Sequence, residues 1–305
     1  ARISLKTKNP IYISLALKIK NNSFPLKHLY QLKNVDKTSE ECIARYLSFS
    51  RRKIDTSLQE DKKLRSKIKK IIFHIGLTKT GSSSLQQFFE RNRLKLWDKG
   101  YHYPISGAFR EYGSRRERTP GHAQLVGSTL ISPKSVRTAL INEIEEVNEV
   151  SETKIDKLIL SAENIVSPRF WKNGLIIDSI RDTFQDVDDI DFCVVFRHPT
   201  SWIISQYLEN IGNHLNSFSD SLFRYTESLK SKNLADWSSI LRKLKKINWA
   251  EVKVGIYENI LKNGGIENWF SDTFEINISN FDKHKLSLSN ESASQIKAFT
   301  INSIK

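Results

Sequence analysis

Methionine is missing from this 305-residue chain altogether, cysteine occurs twice, and proline and glycine number only 7 and 12. The scarcity of proline and glycine excludes collagen-like and low-complexity chains. Two cysteines, Cys42 and Cys193, are too few for a disulfide framework, so a reducing compartment is expected: cytoplasmic of a bacterial type, with the Golgi lumen as the alternative. The histidines and cysteines show no ligand spacing of the zinc kind, and no metal is expected. No apolar run approaches the roughly 18 residues that span a bilayer. The start, Ala1-Arg2-Ile3-Ser4, has no leader with a long apolar centre. An integral membrane protein is therefore not expected.

What is present is positive charge. Lys and Arg total 48 against 34 Asp and Glu, a net +14, which points to an anionic partner or substrate. Hydrophobic residues make up 39% and charged residues 27%, a globular balance with enough apolar material for a core. The length fits one large domain, or one domain plus a smaller appendage. Residues 1–66 are rich in Lys, Asn and Ser and hold two amphipathic stretches, 39–53 and 56–70. They read as an N-terminal helical extension, and residues 67–305 as the main domain.

Four short apolar runs have strand character: 71–75, 157–160, 190–196 and 252–257. Each is nearly continuous in Ile, Val, Leu and Phe, as expected of strands buried on both faces of a parallel sheet. Helical patterns lie between them, at 82–97, 135–150, 168–184, 200–208 and 234–247. Strands alternating with helices predict an α/β fold with a central, mainly parallel sheet flanked by helices in three layers. In such folds ligands sit beyond the carboxyl ends of the strands, so the residues just after each run are the candidates for chemistry.

The first run leads straight into Gly76-Leu77-Thr78-Lys79-Thr80-Gly81-Ser82-Ser83-Ser84, and a helix follows. Glycines permit a tight turn, and successive N–H groups at a helix start cradle a phosphate. Lys79 adds a mobile charge, and the serines add hydroxyl donors. An ATP-type loop, G-x-x-x-x-G-K-[ST], would place lysine where Ser82 stands. No strand ends in an aspartate suited to Mg²⁺. Both facts count against a kinase or ATPase. The third run ends in Arg197-His198-Pro199, and Ser205 follows Arg197 by eight residues, two helical turns on. An Arg fork and a hydroxyl converging there suit a second phosphate.

Together these elements resemble the sulfotransferases that use 3′-phosphoadenosine 5′-phosphosulfate (PAPS). That family carries a Lys-Ser/Thr-Gly-Ser/Thr-Ser/Thr core after its first strand, here Lys79-Thr80-Gly81-Ser82-Ser83, and an Arg and a Ser at the separation of Arg197 and Ser205. The likeness runs from about Lys69 to the C-terminus and is closest to bacterial carbohydrate-type members. His74-Ile75-Gly76, Tyr101-His102-Tyr103-Pro104, Leu160-Ser161-Ala162-Glu163 and Ser205-Gln206-Tyr207 add to it. His198 departs from the Asp or Asn of many relatives, and Lys283-His284-Lys285 stands where some have a glycine-containing 3′-phosphate loop.

The resemblance implies a P-loop-like sulfotransferase fold. It implies PAPS as donor, 3′,5′-diphosphoadenosine (PAP) as product, and a neutral or anionic glycan hydroxyl as acceptor. Lys79, Thr80, Gly81, Ser82, Ser83 and Ser84 would hold the 5′-phosphosulfate, Arg197 and Ser205 the 3′-phosphate, and Lys79 would stabilise the leaving oxygen. Family members use His or Glu as base, which leaves His122 and Glu163 as candidates, with His102 and Glu90 behind them. The charged stretch from Arg110 to Arg118 reads as a solvated segment or as a rim attracting an anionic glycan. Trp202 and Trp237 fall at helical positions and read as core. The competing function classes are a nucleotide-binding protein without turnover and a basic nucleic-acid-binding protein. The basic residues are scattered, with no stacking repeat, which argues against nucleic acid.

Overall fold

Alternate residues of the central strands are buried in two separate apolar clusters, and that alternation defines the layers of the protein. In the computed structural model, Ile71, Phe73, Leu158, Leu160, Phe192 and Val194 pack into one cluster. Ile72, Ile159, Cys193 and Val195 pack into the other. A strand whose two faces are both covered reads as an unbroken apolar run, which is why the sequence lacks a period of two there. The structure describes residues 54, 63–108, 110–112, 115–117, 121–122, 124, 132–163, 165–166, 175–212, 221–231 and 235–282. The expected stretch at 39–53, residues 56–62 of the stretch at 56–70, and Lys283-His284-Lys285 lie outside them; residues 63–70 hold one short 3-10 turn, Leu64–Ser66, and the start of the first strand.

The strands are β1 (Lys70–His74), β2 (Tyr101–His102), β3 (Arg110–Tyr112), β4 (Arg115–Glu117), β5 (Lys157–Ser161), β6 (Asp189–Phe196) and β7 (Glu251–Ile256). The helices among the described residues are α1 (Ser82–Arg91), α2 (Arg93–Trp97), α3 (Pro133–Asn148), α4 (Leu175–Phe184), α5 (Pro199–Gly212), α6 (Leu222–Ser231), α7 (Trp237–Leu244), α8 (Tyr257–Lys262) and α9 (Ile266–Phe274). Five strands form one sheet in the order β2-β5-β1-β6-β7. All its pairings are parallel. Residues of α3, α4 and α7 fill the first cluster, and those of α1, α2 and α9 the second. The fold is thus α/β, with helices on both faces of a parallel sheet. Leu64 and Ile54 are buried in the first cluster, so these two residues of the expected extension share the main core. No described helix is long and apolar enough to cross a membrane.

Strand order fixes where a ligand fits. From β1 the chain passes through α1 and α2 to β2, on one side of β1; from β6 it passes through α5 to α7 to β7, on the other. Adjacent strands whose connections diverge leave a crevice at their carboxyl ends. That crevice lies between the loop after β1 and Arg197 after β6. Register brings His74 level with Ser161 on one side and Cys193 on the other.

The charged stretch at 110–118 contains a two-stranded antiparallel ribbon, with Arg110 opposite Glu117, Glu111 opposite Arg116 and Tyr112 opposite Arg115. The helix expected over 82–97 is broken at Asn92. The Asn92 side chain donates to the carbonyls of Phe88 and Asp282 and accepts from the N–H of Asp282.

Candidate functional site

The loop after β1 is built so that its own side chains turn inward and its backbone N–H groups stay open. The Thr80 and Ser82 hydroxyls both donate to the Leu77 carbonyl, at 2.7 and 3.0 Å, and both residues are buried. Lys79 and Gly81 adopt left-handed conformations, φ 64° and 84°. Alternating hands in consecutive residues tilts their N–H groups toward one point, the concavity that binds anions. Gly81 also caps α1 without a side-chain bond, so the first-turn N–H groups of the helix face outward with its positive dipole end. Apart from the tight turn at Thr78–Lys79, which directs the Thr80 N–H toward the Leu77 carbonyl, none of the described residues accepts a hydrogen bond from the N–H groups of Gly76 to Ser84. The structure therefore refines the expectation for the hydroxyls. Thr80 and Ser82 shape the loop, Ser83 donates to Glu163 at 3.5 Å, and Ser84 donates to Glu267 at 3.2 Å. The donors left for a phosphate are the backbone and Lys79.

Below the loop lies a buried polar network. Gln86 Nε2 donates to Ser161 Oγ at 2.9 Å, and Ser161 Oγ shares a proton with His74 Nδ1 at 2.8 Å. His74 Nε2 is buried without a partner and points at Gly76. A Cβ at Gly76 would stand 2.4 Å from that nitrogen and 3.2 Å from Ser82 Oγ. Gly76 is thus fixed by close approach and not by backbone angle. Gly76→Ala is expected to cost about 1–3 kcal/mol by overpacking, read as a lower urea midpoint. An unchanged midpoint would show that the His74 ring has room to move.

Arg197 is joined to the loop. Its Nη1 donates to the Lys79 carbonyl at 3.0 Å, and its guanidinium lies 5.0 Å from the centre of the Tyr257 ring. Its Nε is buried without a partner. Its own carbonyl accepts from Trp237 Nε1 at 2.8 Å. Helix α5 holds the far side of the loop: Trp202 Nε1 donates to the Thr78 carbonyl at 3.0 Å, and Gln206 Nε2 donates to the Thr78 hydroxyl. Trp202 is buried and stacks edge-on against Trp237, so both tryptophans pack as expected, while Trp202 also fixes the loop. Ser205 is half-buried on α5 and has no hydrogen-bond partner among the described residues. Lys79 Nζ donates to Glu209 on the same helix, at 3.3 Å.

The candidate bases sit in different environments. His122 is fully buried: its Nδ1 accepts from the Ser161 N–H at 2.9 Å, and its Nε2 donates to the Pro104 carbonyl at 2.9 Å. Burial pushes its pKa down to about 4, and both ring nitrogens are spent on the backbone. That geometry makes His122 a tie between the ends of β5 and the 104–108 segment and gives it no route to an acceptor hydroxyl. His102 is likewise enclosed, accepting from Trp97 Nε1 and bonded to Glu143, each at 2.8 Å. Glu90 is buried beside Arg93. Glu163 differs from all three. It is half-buried, follows β5 directly, and reaches Ser83 at the mouth of the loop. The geometry thus brings together Lys79, Arg197, Ser83 and Glu163 and leaves His122 behind the sheet edge.

Two contributors were not singled out from the sequence, Tyr257 and Glu209, and Gln206 entered only as part of Ser205-Gln206-Tyr207. Trp202, Gln206 and Glu209 share one face of α5 at i, i+4 and i+7, so a helical-wheel reading anchored on Trp202 could have found Glu209. Tyr257 follows β7 at the sheet's carboxyl edge, where the same rule that selected Arg197 applies. Comparison with known proteins adds no relative: no family model, curated protein or solved structure matches the chain.

Proposed function

We propose that the chain is a PAPS-dependent sulfotransferase acting on a hydroxyl of a carbohydrate or glycoconjugate. One observation carries this proposal. An open nest of backbone N–H groups, with Lys79 in it, is bonded through the Lys79 carbonyl to Arg197 across the β1/β6 crevice. Two anion-seeking groups tied together at one crevice suit a nucleotide with two separate phosphate groups. The lysine inside the loop, in place of one at position 82, favours a metal-independent phosphosulfate over a Mg²⁺-nucleotide.

In this proposal the nest and Lys79 hold the 5′-phosphosulfate, and Arg197 with Ser205 holds the 3′-phosphate. The acceptor oxygen attacks sulfur in line. The new O–S bond forms as the bond from sulfur to the bridging phosphate oxygen breaks, and PAP leaves with that electron pair. Lys79 neutralises the charge growing on the bridging oxygen. Glu163 takes the acceptor proton, since it is the carboxylate at the mouth of the loop. The test is transfer of labelled sulfuryl from PAPS to a panel of glycans and lipid-linked sugars. Labelled product is expected with at least one acceptor class. Absence of transfer, together with absence of PAP binding, would overturn the proposal.

A further inference from the structure

The ammonium of Lys79 already has an anionic partner. It lies 3.3 Å from Glu209 Oε1, and both side chains are partly exposed, 30% and 51%. Glu209 is placed by the same helix face that grips the loop, since Trp202 and Gln206 of α5 bond to Thr78, the residue before Lys79. The main chain of Lys79 is held by Arg197, and its side chain is drawn toward α5 by Glu209. An incoming phosphate needs the same ammonium, and it meets in Glu209 a carboxylate of its own sign.

Resting on the nucleotide-binding function proposed above, we propose that Glu209 is a positioning residue for Lys79. Its carboxylate clamps the ammonium in the nucleotide-free protein and gives it up when a nucleotide phosphate enters the nest. The clamp holds the long lysine side chain in one place and sets the affinity for the nucleotide, because each binding event must exchange one anion for another.

The test is PAP binding, measured by titration calorimetry on the whole chain for wild type, Glu209→Gln, Glu209→Asp and Lys79→Ala, with Lys79→Ala also combined with Glu209→Gln. Exposed ion pairs are weak, so Glu209→Gln should tighten PAP binding by roughly two- to fivefold. In the Lys79→Ala background the same change should have a clearly smaller effect. Glu209→Asp keeps the charge but shortens the reach, and should lie nearer Glu209→Gln than wild type. If Glu209→Gln left the PAP affinity unchanged, or tightened it equally without Lys79, the clamp would be refuted. An Asp variant identical to wild type would also refute it, since a general field effect would then suffice. Wild type that failed to bind PAP at all would instead count against the nucleotide site itself.

Discussion

Lys79→Ala is expected to lower sulfuryl transfer by about 10²- to 10³-fold, the usual loss when one donor to a developing negative charge is removed, while the unfolding midpoint stays close to wild type. The two halves of this expectation have separate causes. In the proposed mechanism catalysis depends on the ammonium, and in the nucleotide-free protein that ammonium makes one partly exposed ion pair, with Glu209. Pairs of that kind contribute about 0–1 kcal/mol. The backbone of Lys79 lies at φ 64°, which costs a non-glycine residue on the order of 1 kcal/mol whatever its side chain. Alanine inherits the same conformation, so that cost cancels in the comparison. Lys79→Gly should therefore be as inactive as Lys79→Ala and at least as stable. A Lys79→Ala protein that transferred sulfate at the wild-type rate would remove Lys79 from the chemistry.

Acid should weaken the fold through the histidines beneath the loop. His74 and His122 are fully buried, and burial holds both near pKa 4, below the ordinary value of 6.5. The unfolded chain binds these protons more readily than the folded one, so stability rises with pH between the two values. The contribution is fully present above about pH 6.5 and is lost as pH falls toward about 4. Each histidine corresponds to about 3 kcal/mol at most by linkage. The two meet at Ser161, so their effects will not simply add. Urea midpoints measured from pH 7.5 down to pH 4.5 should fall steadily below pH 6.5. His74→Asn, which cannot take up the proton, should flatten part of that slope. A midpoint independent of pH across this range would mean that the two rings are more exposed than their hydrogen bonds imply.

Much of the fold can be read from the residues, because β1, β5 and β6 are buried on both faces and leave unbroken apolar runs; β7, at the sheet edge, does not fit that expectation, since it exposes Val254 and Ile256. Runs expected at 71–75, 157–160, 190–196 and 252–257 correspond to β1, β5, β6 and β7 within one residue at each end. Strand β2 escaped notice because Tyr101 and His102 are too short a segment to show any period. The β3–β4 ribbon is charged at every position but Tyr112, with no apolar run to signal it. The break in the first long helix depends on Asn92 meeting Asp282, 190 residues away, and no local pattern carries such a contact.

The candidate site divides the same way. Lys79, Gly81 and Arg197 were legible because the chain itself places them at the ends of apolar runs. The inward turn of the Thr80 and Ser82 hydroxyls was not, since loop geometry decides which donors remain for a ligand. His122 follows Thr119-Pro120-Gly121, a stretch that reads as an open loop. Its burial arises from Ser161 and Pro104, brought to it from elsewhere in the chain by the sheet edge.

The most direct measurement is equilibrium binding of PAP, adenosine 5′-phosphate and Mg²⁺–ATP to the same preparation. Two coupled anion sites across the β1/β6 crevice predict that PAP binds at least tenfold more tightly than adenosine 5′-phosphate, which lacks the phosphate assigned to Arg197 and Ser205. They also predict that Arg197→Ala abolishes this preference. Tighter binding of Mg²⁺–ATP than of PAP, or equal binding of PAP and adenosine 5′-phosphate, would contradict the assignment.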